Sequence, residues 1–451
     1  MEIAGYKCYN EQKRFLEKHR LFCEKLPRRL TSLGEREYDG TTTGGNSMKY
    51  IVVLGDGMAD YPCREFDGKT PLDIARKPHM DFIAQHGVSG LVKTIPDGMP
   101  PGSDTANLSA MGYDPKRYYT GRSPLEAVSI GIDLALTDVT YRCNTVTLSE
   151  ADQLEDAVMV DYSCDEIPTE ESSAVIADMQ SLFGNSELTL YPGFSYRHCL
   201  VIKNGEEGAE LTPPHDISGK PVREYLPKGK NSGILGDMMR QSYLALRNHP
   251  VNIDRKRRGL KPVSCLWFWG EGRKPDLSSF SEKYGIRGAV VSAVDLIKGI
   301  AICAGLRSID VPGATGNIHT NFDGKAAAAI DALRHGSDFV YIHIEAPDEC
   351  GHRYEPENKV RAIERIDEKI VGPVMRAMEE DGESYAILVL PDHPTPLSTR
   401  THARDPVPFA LYRSDVPRDG APVYSESAAK QTGIFVEQGY TLLDLFLNHR
   451  L

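Results

Sequence analysis

Three apolar runs, each ending in a polar cluster, constrain this chain more than any other feature: "YIVVLGDG" at 50–57, "FVYIHIEAP" at 339–347 and "YAILVLPDH" at 385–393. A strand with one wet face alternates apolar and polar residues. A strand buried on both faces reads as a continuous apolar run. Stretches with helical spacing and a glycine stop lie between such runs, as in "TPLDIARKPHMDFIAQHG" and "VDLIKGIAICAG". Together they predict an α/β domain with a mostly parallel sheet sandwiched by helices. "SCLWFWGEG" and "GAVVSAV" are assigned to the same sheet. Open sheets of this kind gather their ligand groups beyond the carboxyl ends of the strands. The acids and histidines of this chain sit there.

The middle of the chain reads differently. "DVTYRCNTVTL" and "HCLVIKNG" alternate, and "LTPPHDISGKPV" is rich in Pro and Gly. The expectation is a smaller α+β domain at 125–260, inserted into a discontinuous domain made of 48–124 and 261–451. Insertion explains why strand-end acids and histidines occur on both sides, at 56–103 and at 348–402: one site must draw on both. Residues 1–47 are charged and helix-capable and end in "DGTTTGGNS", a flexible linker composition, so they read as an N-terminal extension without a catalytic role. They lack the apolar core of a signal peptide.

The formal charge of −12 argues against a nucleic-acid partner. No apolar run approaches the roughly 20 residues of a membrane span. Nine scattered cysteines without a C-x-x-C pair suit a reduced, cytoplasmic thiol set better than a disulfide framework.

Four clusters carry possible chemistry. Asp56 follows a strand in "VVLGDGM"; Ser103 and Asp104 lie in "MPPGSDTANLS"; Asp348 and His352 are four apart in "HIEAPDECGH"; Asp392 and His393 end a strand, with His402 nine residues on. Taken singly, each has an ordinary explanation. Asp-Gly after a strand is usually a turn, Ser103 alone is more often a helix N-cap, and an Asp/His pair at spacing four is more often a surface pair. Jointly they mean more, because acids and imidazoles gathered at strand ends are costly to bury unless they bind something. Mixed His and carboxylate donors suit Zn²⁺ or Mn²⁺. Asp348, His352 and His402 would make one site. Asp56, Asp392 and His393, with the Ser103 oxygen, would make another. Two such ions would clamp a phosphoryl group and lower the pKa of the serine hydroxyl.

The order Asp, Ser, D-x-x-x-H, D-H, H resembles the alkaline phosphatase superfamily. The stretches "GDGMAD", "PPGSDTANLSAMGYDP", "EAPDECGH", "LPDHPTP" and "THARDPVPF" resemble the archaeal type of 2,3-bisphosphoglycerate-independent phosphoglycerate mutase, from Met48 nearly to the C-terminus. The resemblance implies an alkaline-phosphatase-like sheet and interconversion of 3- and 2-phosphoglycerate without 2,3-bisphosphoglycerate. It makes Ser103 the phosphorylated nucleophile, with Asp56, Asp392 and His393 on its metal and Asp348, His352 and His402 on the second. It admits Mn²⁺, Zn²⁺, Mg²⁺ or Co²⁺. The inserted domain would grip the glycerate, best through His215 and Asp216 in "PPHDISGK" and through Arg197; Arg255 and Arg258 in "VNIDRKRRG", and Lys283 and Arg287 in "SEKYGIRGA", are further candidates. "VDYSCDEIPTEES" matches the family only loosely.

Two rivals stand beside this reading. A phosphotransferase or phosphatase on the same scaffold, such as a homoserine kinase-like enzyme, would share the metal core. The lack of G-x-x-x-x-G-K-[ST] disfavours a P-loop but not ATP held by metals. A catalytically silent metal-binding protein is disfavoured by the intact serine and ligand set. The expected partner is a small phosphorylated substrate, and a homo-oligomer is compatible with the sequence.

Overall fold

The computed structural model describes residues 48–451; the expected extension at 1–47 lies outside the described residues. The described strands, in chain order, are β1 (Lys49–Gly55), β2 (Val88–Val92), β3 (Val139–Leu148), β4 (Met159–Asp161), β5 (Leu188–Tyr191), β6 (Arg197–Ile202), β7 (Ala209–Glu210), β8 (Lys228–Gly229), β9 (Cys265–Arg273), β10 (Gly288–Val291), β11 (Arg307–Ile309), β12 (Phe339–Ile344), β13 (Tyr385–Leu390), β14 (Val407–Arg413) and β15 (Phe435–Val436).

The larger sheet has eight strands in the order β11-β10-β12-β1-β13-β14-β2-β15. The pairs from β11 through β13 are parallel, β14 pairs antiparallel with both β13 and β2, and β15 pairs parallel with β2. Only β14 therefore runs against the rest. The three apolar runs that dominate the sequence, β1, β12 and β13, lie side by side at its centre. All of β12 and β13 is buried, as is β1 after Lys49. The mostly parallel α/β sheet expected from the runs is what forms. Because β14 is reversed, its start lies at the same edge as the ends of β1, β12 and β13. That places His402, just before β14, beside Asp56, Asp348 and Asp392.

The second sheet has five strands, with β4-β3-β6-β5 in order and β9 on the other side of β3. It covers a separate apolar core that includes Tyr141, Leu200, Trp267 and Phe268 and the helices Thr169–Phe183 and Ser232–Ala245. Here one expectation is corrected. "SCLWFWGEG" does not join the large sheet, because β9 pairs antiparallel with β3 from Val146↔Cys265 to Val139↔Arg273. An apolar run alone cannot say which sheet it enters. The chain therefore returns to the large sheet after residue 273, not at 261.

Among the described residues no helix is long and apolar enough to cross a membrane. Cys63, Cys143, Cys164, Cys199, Cys265, Cys303 and Cys350 are free thiols.

Candidate active site

Asp56 is the first residue past β1, and its N–H donates to Ile344 O, 2.9 Å away, at the end of β12. The next residue must be glycine. Gly57 has φ +61°, and a Cβ there would stand 2.6 Å from Thr395 Oγ1 and 2.7 Å from the Asp348 Cα. Its bare N–H donates to Asp392 Oδ1 at 3.0 Å. One tight turn thus locks three strand ends together.

Ser103 opens the helix Ser103–Ala110, whose N-cap is Gly102 with no side-chain cap. The serine hydroxyl is therefore not used in capping. Its Oγ lies 3.2 Å from His393 Nε2. His393 Nε2 also lies 3.5 Å from Asp56 Oδ1 and 3.4 Å from Asp392 Oδ2. The His393 ring is fully buried, with Nδ1 3.2 Å from Thr395 Oγ1.

Across the site, Asp348 sits in the helix Ala346–Arg353, one turn before His352. His352 Nε2 approaches Asp348 Oδ2 at 3.2 Å, and His402 Nε2 approaches Asp348 Oδ1 at 3.4 Å. The two Nε2 atoms are 2.9 Å apart. His352 Nδ1 donates to the carbonyl of Arg400 at 2.9 Å, which leaves Nε2 facing inward.

The acids and imidazoles form two compact groups that share one ring: Asp56, Asp392 and His393, and Asp348, His393 and His402. The first coincides with the protein donors expected beside Ser103. In the second, Asp348 and His402 stand with His393, and His352 Nε2 meets both Asp348 and His402 from the half-exposed rim.

The electrostatics suit a cation. Burial, and then the charges of Asp392, Asp348 and Glu345, push the Asp56 carboxyl well above its ordinary pKa. Burial and Asp348 raise Glu345 to about 8. Asp56 Oδ1 is buried and has no hydrogen-bond partner among the described residues. Asp348 is also pushed up by burial, but bonds from His352 and His402 outweigh this and hold it far below the usual range. A buried acceptor without a donor, among crowded carboxylates and imidazoles, fits a divalent metal.

Two surrounding residues escape sequence reading. Asn107, fully buried, donates from Nδ2 to Ser103 O and Asp392 Oδ2, both at 2.9 Å, and accepts from Tyr341 OH at 2.7 Å. Its one signal is the i+4 spacing from Ser103. His343, in the middle of an apolar strand, lies 3.0 Å from Asp56 Oδ2, and burial and Lys325 hold its ring down at about 3. Asp104 accepts from Arg122 Nε and Tyr119 OH, both at 2.7 Å, and these bonds overcome burial to keep it ionised. That makes it a poor carrier of protons.

The expected glycerate-binding residues divide. The His215 ring stands edge-on to Trp269 at 5.3 Å and to Tyr162 at 6.0 Å, with its Nε2 3.7 Å from Asp216 Oδ1. Tyr162 meets Tyr196 at 5.9 Å, and the Arg197 guanidinium lies over Tyr196 at 4.8 Å. These form one aromatic-cationic patch. The other four cations are engaged elsewhere. Arg255 is buried, bonded to Lys261 O, Cys164 O and Glu171, because the loop carbonyls around it need a donor. Arg258 pairs with Glu171 and Asp254. Lys283 donates to Gly112 O and packs over Tyr113 and Tyr284. Arg287 pairs with Asp338. All four are thus engaged in bonds or packing close to their own elements.

Known proteins match this architecture. The family model described as 2,3-bisphosphoglycerate-independent phosphoglycerate mutase matches residues 84–252. A protein of Geobacter sulfurreducens named probable 2,3-bisphosphoglycerate-independent phosphoglycerate mutase is 50% identical over 402 residues, 89% of this chain and 100% of that protein. The protein of that name from Methanothrix thermoacetophila is 49% identical, over 89% of this chain and 100% of its own length. Among solved structures, the cofactor-independent phosphoglycerate mutase of Thermoplasma acidophilum superposes with a TM-score of 0.64 at 25% identity, covering 89% of this chain and 99% of that one. With full-length relatives at this identity, the chain belongs to the family of 2,3-bisphosphoglycerate-independent phosphoglycerate mutases.

Proposed function

We propose that this protein interconverts 3-phosphoglycerate and 2-phosphoglycerate through a phosphoserine at Ser103, in the cytoplasm, with two divalent metal ions. The observation that carries the reading is the 3.2 Å approach of Ser103 Oγ to a buried imidazole shared by two acid–imidazole groups. Asp56, Asp392, His393 and the Ser103 oxygen would hold one ion; Asp348, His402 and His352 would hold the other. Mn²⁺ or Zn²⁺ suits these donors first, with Mg²⁺ and Co²⁺ as alternatives. Such ions supply charge neutralisation at phosphoryl oxygens and a more acidic serine hydroxyl.

In the forward half-reaction Ser103 Oγ bonds to phosphorus as the bond to the 3-oxygen of the substrate breaks. Glycerate leaves with a proton on that oxygen. After glycerate turns, its 2-hydroxyl attacks the phosphoserine, loses its proton and frees Ser103. Two inversions give net retention. The phosphoryl group sits at the start of a helix, where backbone N–H groups point at an anion. The second sheet and its core act as a cap from roughly residue 125 to 273. The His215, Asp216 and Arg197 patch holds glycerate while it turns. A mutase differs from a phosphatase in keeping water from the phosphoserine, and a closing cap does that.

Ser103→Ala tests the reading. It abolishes formation of 2-phosphoglycerate and the labelled phosphoprotein trapped from labelled 3-phosphoglycerate, while bound metal changes little. Persistent turnover, or phosphohomoserine made from ATP and homoserine as the sole product, defeats it.

A further inference from the structure

His343 belongs to β12, pairs with Leu54 of β1 and is wholly buried. Most positions of this strand carry apolar side chains, so an imidazole there needs a reason. Its surroundings supply one. Val294 N–H donates to Ser292 Oγ at 3.0 Å. Ser292 Oγ lies 3.2 Å from His343 Nδ1, and His343 Nε2 lies 3.0 Å from Asp56 Oδ2. The proton positions follow. With Asp56 ionised as a metal ligand, its carboxylate only accepts, so Nε2 carries the hydrogen. Nδ1 must then accept, and the Ser292 hydroxyl donates to it. The Ser292 oxygen meets its own need with Val294 N–H. The chain of bonds runs one way, and each ring nitrogen has one role.

This chain of bonds ends on only one of the two Asp56 oxygens. Oδ2 takes the His343 hydrogen, while Oδ1 has no donor among the described residues and lies 3.5 Å from His393 Nε2. Resting on the reading of Asp56 as a metal ligand, we propose that His343, backed by Ser292, is a positioning residue that engages Oδ2 and reserves Oδ1 for the ion beside Ser103. The Asp56 carboxylate then cannot rotate to offer both oxygens, and its donor atom is set before metal or substrate arrives. Residues that orient metal ligands in this way typically change metal affinity by about 10–100-fold when replaced.

The test is calorimetric titration of Mn²⁺ into the chelator-stripped full-length protein. His343→Leu, which fills the space without a donor, weakens one of the two Mn²⁺ sites by about 10–100-fold and leaves the other unchanged. His343→Gln, which keeps a terminal N–H, recovers affinity to within a few fold of the wild type. Ser292→Ala gives a smaller loss at the same site. Circular dichroism establishes folding; if His343→Leu does not fold, the Gln and Ser292→Ala variants carry the comparison. Unchanged affinity in all variants, or equal losses in the Leu and Gln variants, overturns the proposal. Asp56→Asn separates it from the reading beneath it: if that change leaves both Mn²⁺ affinities intact, Asp56 is no ligand and the metal assignment itself fails.

Discussion

Ser103 Oγ and His393 Nε2 stand 3.2 Å apart, although 290 positions separate them in the chain. The same imidazole nitrogen is within 3.5 Å of Asp56 Oδ1 and 3.4 Å of Asp392 Oδ2. No other histidine is common to both acid–imidazole groups. Replacing it disturbs both groups at once, whereas replacing His352 disturbs one from its rim. His393→Ala is therefore expected to lower kcat/KM by about a thousandfold or more, and His352→Ala by about 10–100-fold. A coupled assay for 2-phosphoglycerate, run with metal analysis of each variant, checks the ranking. Equal losses would show that the shared position confers no special role.

Gly57 offers a sharper structural test. Its positive φ alone makes any side chain strained, and an added Cβ collides with Asp348 and Thr395. Thr395 donates to Asp348, so the displaced groups bear directly on the site. Gly57→Ala should cost about 1–3 kcal/mol of stability and weaken metal binding more than a surface substitution of similar cost. Thermal melting with and without Mn²⁺ measures both: the stabilisation by metal should shrink along with the melting temperature. Loss of stability with full metal response would mean that the turn serves only the fold.

How much of this could be read from the sequence depends on where each signal is stored. The central strands were legible because β1, β12 and β13 are buried on both faces and admit few polar residues. The cluster of acids and imidazoles was legible because such groups at strand ends are rare without a use. Pairing partners were not. β9 has the same apolar run as a central strand, yet it pairs with β3, and that choice rests on long-range contacts. Cations were the least legible. Arg197 and Arg255 look alike in sequence, but one is exposed beside Tyr196 and the other is buried among carbonyls. His343 and Asn107 were missed because a lone polar residue inside an apolar run, or inside a helix, has no local pattern to mark it.

The second sheet carries an acid-sensitive element. His198 in β6 is buried, accepts from Gly193 N–H at Nδ1 at 3.1 Å and has no partner at Nε2 among the described residues. Burial lowers its pKa from 6.5 to about 3. With the folded value below the unfolded one, its contribution is complete above pH 6.5 and is lost as pH falls from there toward 3. The slope is at most about 1.4 kcal/mol per pH unit. His198→Asn keeps an acceptor for Gly193 and removes the titration. Urea midpoints followed by circular dichroism between pH 7.5 and 4 should therefore fall less steeply for the variant. Parallel curves would place the acid sensitivity elsewhere.

Arg255 and Arg197 should fail in opposite ways. Arg255 donates to two carbonyls and to Glu171 from a site that is 1% exposed, so removing its head leaves those acceptors without a donor in the interior. Breaking a buried pair by deleting one partner costs about 3–5 kcal/mol. Arg255→Met should lower the melting temperature strongly, while the protein that remains folded keeps its KM for 3-phosphoglycerate. Arg197 lies exposed over Tyr196, and its guanidinium donates to that hydroxyl at 2.8 Å. Arg197→Ala should barely move the melting temperature yet raise KM by about tenfold, the loss of one charge-assisted contact to a carboxylate or phosphate. Steady-state kinetics beside thermal melts distinguish the two. The reverse pattern, with Arg255→Met stable and weak in KM, would put the glycerate grip at Arg255 and remove the His215 patch from the site.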